Sequence, residues 1–277
     1  MNQSSIYSRL LVAVGAAIAA VALLAPAASA AEPAPGYGQF AGCPSPKTEN
    51  PNITTCFRTN ITGGHFQMGS KTVTIEKEIE LSGGFNSKAT EFDYTSKGGL
   101  TPVPQKIPGG LVGLTGLDWL LDFFSVEALN VYATTELAGN PSNPLLEPFK
   151  LPIKVRLTNP AGLVGNSCYV GSNTEPISLS LITGTTNPPP PNEPITGKKG
   201  KLKLGGAPGI TQSLDNIYVD NSFAAPAAKG CKLIIGFIPL SIDALVNLQS
   251  GLPSPAGTNE TVQEVDAEIV ASKNVYP

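Results

Sequence analysis

The stretch KTVTIEKEIEL, Lys71 to Leu81, is the clearest strand signal in the chain. Val73, Ile75, Ile79 and Leu81 share one face, while Thr72, Thr74, Glu76, Glu78 and Glu80 share the other. A period of two belongs to a half-buried strand. Lys77 alone breaks the apolar face, and an inward lysine guards an edge strand against pairing with another chain. The reading is therefore one edge strand, ended by Gly83-Gly84.

Similar alternation recurs along the chain. Ile153, Val155 and Leu157 alternate with Lys154 and Arg156, and Ile177, Leu179 and Leu181 with Ser178 and Ser180. Leu202 and Leu204 alternate with Lys201 and Lys203, and Val265, Ala267 and Ile269 with Glu264, Asp266 and Glu268. Weaker patterns predict strands over Val126–Leu137, Asn216–Asp220 and Lys232–Phe237. Seven to ten short strands punctuated by glycine and proline fit an all-β fold, an antiparallel β-sandwich or barrel. One-face alternation excludes a buried parallel sheet.

Two short helices interrupt the strands. In LTGLDWLLDFF, Thr115 and Asp118 have capping-box spacing and Leu114 is placed to staple onto Trp119. The second, SIDALVNLQSG, has Ser241 as cap, Asp243 in its first turn and Gly251 as its stop.

The N-terminus reads as an export signal over residues 1–30. Arg9 precedes an apolar stretch from Leu10 to Leu24, Pro26 breaks it, and Ala28-Ser29-Ala30 offers small residues for cleavage. Residues 31–277 then form a single secreted domain with no transmembrane segment. Its first residues, to about Ala41, are small, proline-rich and expected to be extended. Four cysteines in an exported chain imply two disulfides. The economical pairing is Cys43–Cys56 and Cys168–Cys231, worth ~3 and ~4 kcal/mol by chain entropy. On that pairing the run NPPPPNEP, residues 187–194, is a clipped surface loop rather than a domain linker.

Composition narrows the chemistry. Among 277 residues, 41% are hydrophobic and only 14% charged, with 29 glycines and 26 prolines. A net charge of −3 disfavours nucleic acid as a partner, because phosphate binding needs a basic face. The single histidine, His65, lies in the glycine-flanked GGHFQMG, which reads as a turn, and no Gly-x-Ser-x-Gly elbow accompanies it. No cysteine or histidine spacing suits zinc, so neither a metal nor another cofactor is expected.

Asp118 and Asp122 lie four apart on the first helix, the spacing at which two carboxylates can split their pKa values for glycan hydrolysis. The plainer reading is a solvated stripe. The acidic rows Glu76/Glu78/Glu80 and Glu264/Asp266/Glu268 read as strand faces paired with Lys154 and Arg156 rather than as a calcium ladder. Lys198, Lys199, Lys201 and Lys203 form a basic cluster suited to an anionic surface. The apolar run Gly109–Phe124 is too short and too acidic to span a bilayer. It reads as a core-packing helix or, through Leu117, Trp119, Leu120, Phe123 and Phe124, as a lid over an apolar pocket. Asn52, Asn60 and Asn259 sit in Asn-x-Thr triplets, glycan acceptors in a eukaryotic pathway.

GNSCYVGSNTEPISLSLITGTTNPPPPNEPITG from Gly165, VDNSFAAP from Val219, GLPSPAGTNE from Gly251 and CFRTNITGGHFQMG from Cys56 together resemble a group of secreted actinobacterial proteins with no established activity. The resemblance implies bacterial origin and export and assigns no site residue. The function expected is a non-catalytic module at the cell surface or in the medium, partnered by a wall polymer, lipid or another surface protein. A carrier of a hydrophobic ligand stands second, and a carboxylate-based enzyme acting on glycans third.

Overall fold

The structure, a computed structural model, describes residues 31–88, 91–236 and 238–277. The expected export signal over residues 1–30 and Phe237, the expected end of a strand, lie outside the described residues. Strands are numbered in chain order. An eight-stranded sheet contains β1 (Ile53–Met68), β2 (Lys71–Thr74), β3 (Ile79–Asn86), β4 (Glu91–Asp93), β5 (Gly99–Leu100), β11 (Lys201–Leu204), β12 (Thr211–Asp220) and β16 (Glu260–Ala271). A six-stranded sheet contains β6 (Gln105–Lys106), β7 (Tyr132–Leu137), β8 (Phe149–Thr158), β9 (Tyr169–Val170), β10 (Ile177–Leu181) and β13 (Ala228–Lys229). All pairings are antiparallel, and β14 (Lys232–Ile235) with β15 (Ile238–Ser241) makes a separate hairpin. The helices are α1 (Gly110–Thr115), α2 (Asp243–Ser250) and α3 (Ser272–Val275). The all-β sandwich expectation holds.

The sheets meet face to face. Phe57, Leu81 and Phe92 of the first share a core with Leu151, Ile153, Val155, Leu157, Ile177, Leu179 and Leu181 of the second. These last seven are the alternating residues of β8 and β10, and the polar partners between them face outward. A second apolar cluster lies around Phe40, Ile53, Ile210, Val270 and Tyr276, reinforced by the Cys43–Cys56 disulfide. The proline-rich start of residues 31–277 thus packs against the fold rather than running free. Tyr276 donates its hydroxyl to the Cys43 carbonyl at 2.8 Å. The other expected bridge, Cys168–Cys231, is also present.

The opening stretch is two strands rather than one. β2 ends at Thr74, β3 begins at Ile79, and the chain between them bends. Gln105 holds the bend: its Oε1 accepts from the Glu76 and Lys77 N–H groups and its Nε2 donates to the Lys77 carbonyl. Lys77 is exposed at the bend, so it is no inward guard. The cause lies in β1, which the two strands cover in succession. β3 pairs with Ile53–Ile61, and β2 with His65–Met68. Between those spans β1 carries a bulge against β16, where the register shifts between Ile61 and Gly63. Gly64 adopts φ +104°, and a Cβ there would collide with the Val262 carbonyl. His65 therefore sits inside a strand, not in a turn.

Gly83-Gly84 does not end β3 either. A Cβ on Gly83 would meet the Phe92 ring at 2.6 Å, and one on Gly84 would meet Ile53 at 2.7 Å and Cys43 Sγ at 3.0 Å. The glycines let a ring and a disulfide lie against the strand. The first expected helix is also divided. Gly116 takes φ +70° and stops α1, and a separate 3₁₀ turn follows at Asp118–Asp122. Thr115 Oγ1 donates back to the Leu111 carbonyl, so it ends a helix instead of capping one. Trp119 meets Phe123 edge-on at 6.0 Å. Gly251 stops α2 at φ +65° as expected, but no Ser241 cap forms; Asp243 instead accepts from the Cys231 N–H at 2.6 Å. Of Val126–Leu137 only Tyr132–Leu137 is a strand.

Gly64→Ala should destabilise the protein by about 2 kcal/mol or more, since it combines a positive φ with a backbone clash. Urea unfolding followed by circular dichroism measures this, and Gly162→Ala, at an open loop position, should cost less.

Candidate functional site

One end of the sandwich is built from apolar pieces that leave much of their surface bare. α1 packs on α2, and the Leu111 N–H donates to the Leu129 carbonyl. Asn159 Nδ2 donates to the Ala128 and Asn130 carbonyls, and its Oδ1 accepts from the Leu163 N–H. Leu163 in turn accepts from Ile234 of the β14–β15 hairpin, which leads directly into α2. α1, α2, the 3₁₀ turn and the hairpin thus form a connected cap.

The inward residues of this cap are fully used: Leu111, Leu114 and Leu120 are buried, and Leu117 and Phe124 pack half-buried against the core. Its outward residues are apolar as well. Trp119 is 44% exposed, Leu121 52%, Phe123 74% and Val126 66%, within eight residues of chain. Ile238 and Leu240 of the hairpin and Leu248 of α2 are exposed as well. Surface apolar side chains are ordinary when scattered, but a run of them on one element marks a contact surface.

Beneath the cap, between the sheets, lies an apolar cavity of about 80 Å³. Phe66, Met68, Val73 and Ile75 wall one side, and Leu151, Ile153 and Val155 the other. Leu114 of α1 and Val246 of α2 close the cap end. Of the five residues expected to form a lid, Leu117, Trp119, Leu120, Phe123 and Phe124, none borders this space. The helix stop at Gly116 carries them past it, so only Leu114 of the apolar run reaches the cavity. Its volume also falls below the ~300–1,000 Å³ of ordinary ligand pockets.

The cavity wall also carries polar residues that periodicity did not single out, Lys71, Gln105, Ser250 and Gln263 among them. Lys71 has the same odd parity as Val73 and Ile75, which is the signal that places it on the inner face. Ser250 carries no comparable signal, because only the docking of α2 turns it inward.

The remaining candidates sit elsewhere. Asp118 and Asp122 are exposed and do not border the cavity. His65 Nε2 lies 3.0 Å from Glu260 Oε1 across the β1–β16 ladder. The acidic rows do not pair with Lys154 and Arg156. Those two flank Glu136 on the other sheet, with Arg156 Nε at 2.9 Å, while Arg58 lies 2.9 Å from Glu80 and 3.9 Å from Glu268. Lys198, Lys199, Lys201 and Lys203 are exposed at and beside the edge strand β11. Leu202 and Leu204 are exposed there too, because the second sheet does not extend beneath them. Among the described residues no group of three or more His, Cys, Asp and Glu side chains converges.

The loop at 187–194 lies at the surface. Thr186 and Ile195 bond across its neck, and Asn192 Nδ2 donates to the Asn221 and Asn259 carbonyls at 2.8 Å each. Asn259 itself is fully buried. Its Oδ1 accepts from the Gly69 N–H and Ser254 Oγ, and its Nδ2 donates to the Phe223 carbonyl. Its Asn-x-Thr triplet is therefore closed to modification in the folded state. No protein-family model, curated protein or solved structure matches this chain.

Leu114→Ala, which enlarges the cavity under α1, should cost about 2–4 kcal/mol in urea unfolding. Phe123→Ser, at the bare face of the cap, should change stability by no more than about 0.5 kcal/mol.

Proposed function

We propose that this chain is an exported, non-catalytic module that acts by binding, with its apolar cap seated on a neutral lipid surface of the cell envelope. The observation that carries this reading is the bare run Trp119, Leu121, Phe123 and Val126, on a segment whose other residues already complete the core. Tryptophan and phenylalanine favour the boundary between headgroups and acyl chains. No lysine or arginine occurs between Lys106 and Lys150, while Asp118, Asp122 and Glu127 lie within the run. Electrostatics therefore favours a neutral surface over an anionic one. Two disulfides suit an oxidising compartment, and none of the described helices is long and apolar enough to cross a membrane. A purely adhesive role through a wall polymer would leave the cap unexplained.

Trp119 is the only tryptophan, so its emission reports on the cap directly. Phosphatidylcholine vesicles should shift that emission to shorter wavelength and carry the protein down on sedimentation. Phosphatidylglycerol should not strengthen binding, and Phe123→Asp should remove it while leaving the unfolding midpoint in place. Unchanged emission with the protein left in the supernatant would refute the reading.

The cavity favours a second reading, a carrier of a small hydrophobic ligand. What recommends it is the position of the space, between the two sheets and directly under α1 and α2.

A further inference from the structure

The eight-stranded sheet ends differently on its two sides. At β4 the outer edge is covered: the Phe92 N–H donates to the Pro141 carbonyl at 3.2 Å, and Glu91 bridges to Ser142. At β11 it is open. Among the described residues β11 pairs with β12 alone, and none of its backbone groups bonds to a loop. The Gly205 N–H donates to the Ile210 carbonyl at 2.8 Å where this hairpin closes. Hydrogen-bonded pairs alternate along an antiparallel ladder. Lys203 and Lys201, opposite Gln212 and Leu214, therefore bond to β12, while Leu202 and Leu204 turn their N–H and C=O groups away from the sheet.

The side chains of this edge are as open as its main chain. Leu202 is 77% exposed and Leu204 80%, although Leu204 stands in register with Thr211, Ile269 and the core residue Phe57 on the inner face of the sheet. Lys201 and Lys203 lie on the other face, and Lys198 and Lys199 precede them. No carboxylate comes within ion-pair distance of these four lysines among the described residues. Glu268, in line with Lys203 beyond Gln212, already accepts from Gln212 Nε2 at 2.6 Å and lies 3.9 Å from Arg58.

Lysine on a short edge strand is a defence against pairing, and the pattern here shows against what. Antiparallel pairing of KLKL with a second copy sets lysine opposite lysine in one register and lysine opposite leucine in the next. The first repels and the second matches nothing. A strand of opposite charge meets neither obstacle. From this we infer that β11 takes an extended segment of a partner protein as a further strand, one in which acidic and apolar residues alternate. Its carboxylates lie beside Lys201 and Lys203, its apolar side chains beside Leu202 and Leu204, and its main chain takes up the free groups of the two leucines. Attraction of one charge and repulsion of the other together select the partner. An anionic polymer or lipid could use the lysines, but it has no use for bare leucines or open main-chain groups. The inference is separate from the cap and the cavity, neither of which involves β11.

The test is an amide NMR titration of the purified protein with a blocked eight-residue peptide that alternates glutamate and valine. The Leu202 and Leu204 amides should shift saturably and become protected from hydrogen exchange, because strand pairing uses those two N–H groups. A peptide of the same composition with glutamates and valines in separate halves should bind more weakly. Replacing both lysines (Lys201→Glu with Lys203→Glu) should weaken binding of the glutamate–valine peptide by about tenfold or more and create binding of a lysine–valine peptide. Both positions are exposed, so the unfolding midpoint should stay in place. Suppose instead that the segregated peptide, polyglutamate or phosphatidylglycerol vesicles bind as well as the alternating peptide and leave the two leucine amides unprotected. The lysines are then a diffuse anionic contact, and strand addition is overturned. It is equally overturned if the lysine–valine peptide binds the unaltered protein as well, or if no peptide moves the β11 resonances.

Discussion

The bend in β1 at Gly63-Gly64 is the constraint on which the rest of the molecule depends. β1 is sixteen residues long and laddered on both edges, by β16 on one side and by β3 and then β2 on the other. A strand of that length twists, and a bulge concentrates the twist at one point. Because β1 turns there, its two coverings cannot be one continuous strand. The chain leaves the ladder after Thr74, is held by Gln105 through the bend, and rejoins at Ile79. That departure puts β2 beside α1 and α2 and gives the cavity its outer wall.

Buried amides fasten the far side of the same region. Asn259 ties the β1–β2 turn at Gly69 to the Phe223 segment, and its backbone carbonyl receives Asn192 from the proline-rich loop. Asn221 completes the set by donating to the Glu193 carbonyl. Three asparagines thereby connect stretches far apart in sequence. Each bond contributes only about 1 kcal/mol net, but removing one partner strands a buried amide at a greater cost. The loop is therefore part of the packed structure although it lies at the surface.

Much of this fold is legible in the sequence, and the failures share a physical origin. Ile153, Val155, Leu157, Ile177, Leu179 and Leu181 read correctly because each strand is flat enough for alternation to equal burial. The disulfide pairs and the stop at Gly251 read correctly because they are local or economical. KTVTIEKEIEL misleads because a bend keeps the parity of Ile75 and Ile79 while moving Lys77 into solvent. Gly83-Gly84 misleads because a glycine required by a neighbouring ring looks the same as one required by a turn. Leu202 and Leu204 alternate faultlessly yet bury nothing, because periodicity reports a strand's faces and not the reach of the opposing sheet. The candidate site was legible only in part. The apolar run Gly109–Phe124 pointed to the right end of the molecule, whereas Lys71 and Ser250 acquire meaning only once α2 is docked.

The Cys168–Cys231 bridge spans 63 residues and encloses β10, the proline-rich loop, β11 and β12. Everything most exposed on that side, including the loop and the lysine-bearing edge, thus lies inside a covalent ring. A protease that cuts once anywhere within the ring opens it without releasing a fragment. Both new ends remain tethered through the disulfide, and the pieces of the sandwich stay paired through β12–β16 and β8–β10. A nicked copy would therefore keep its strand ladders, and the covalent ring turns a single cut from a loss of chain into a change of connectivity.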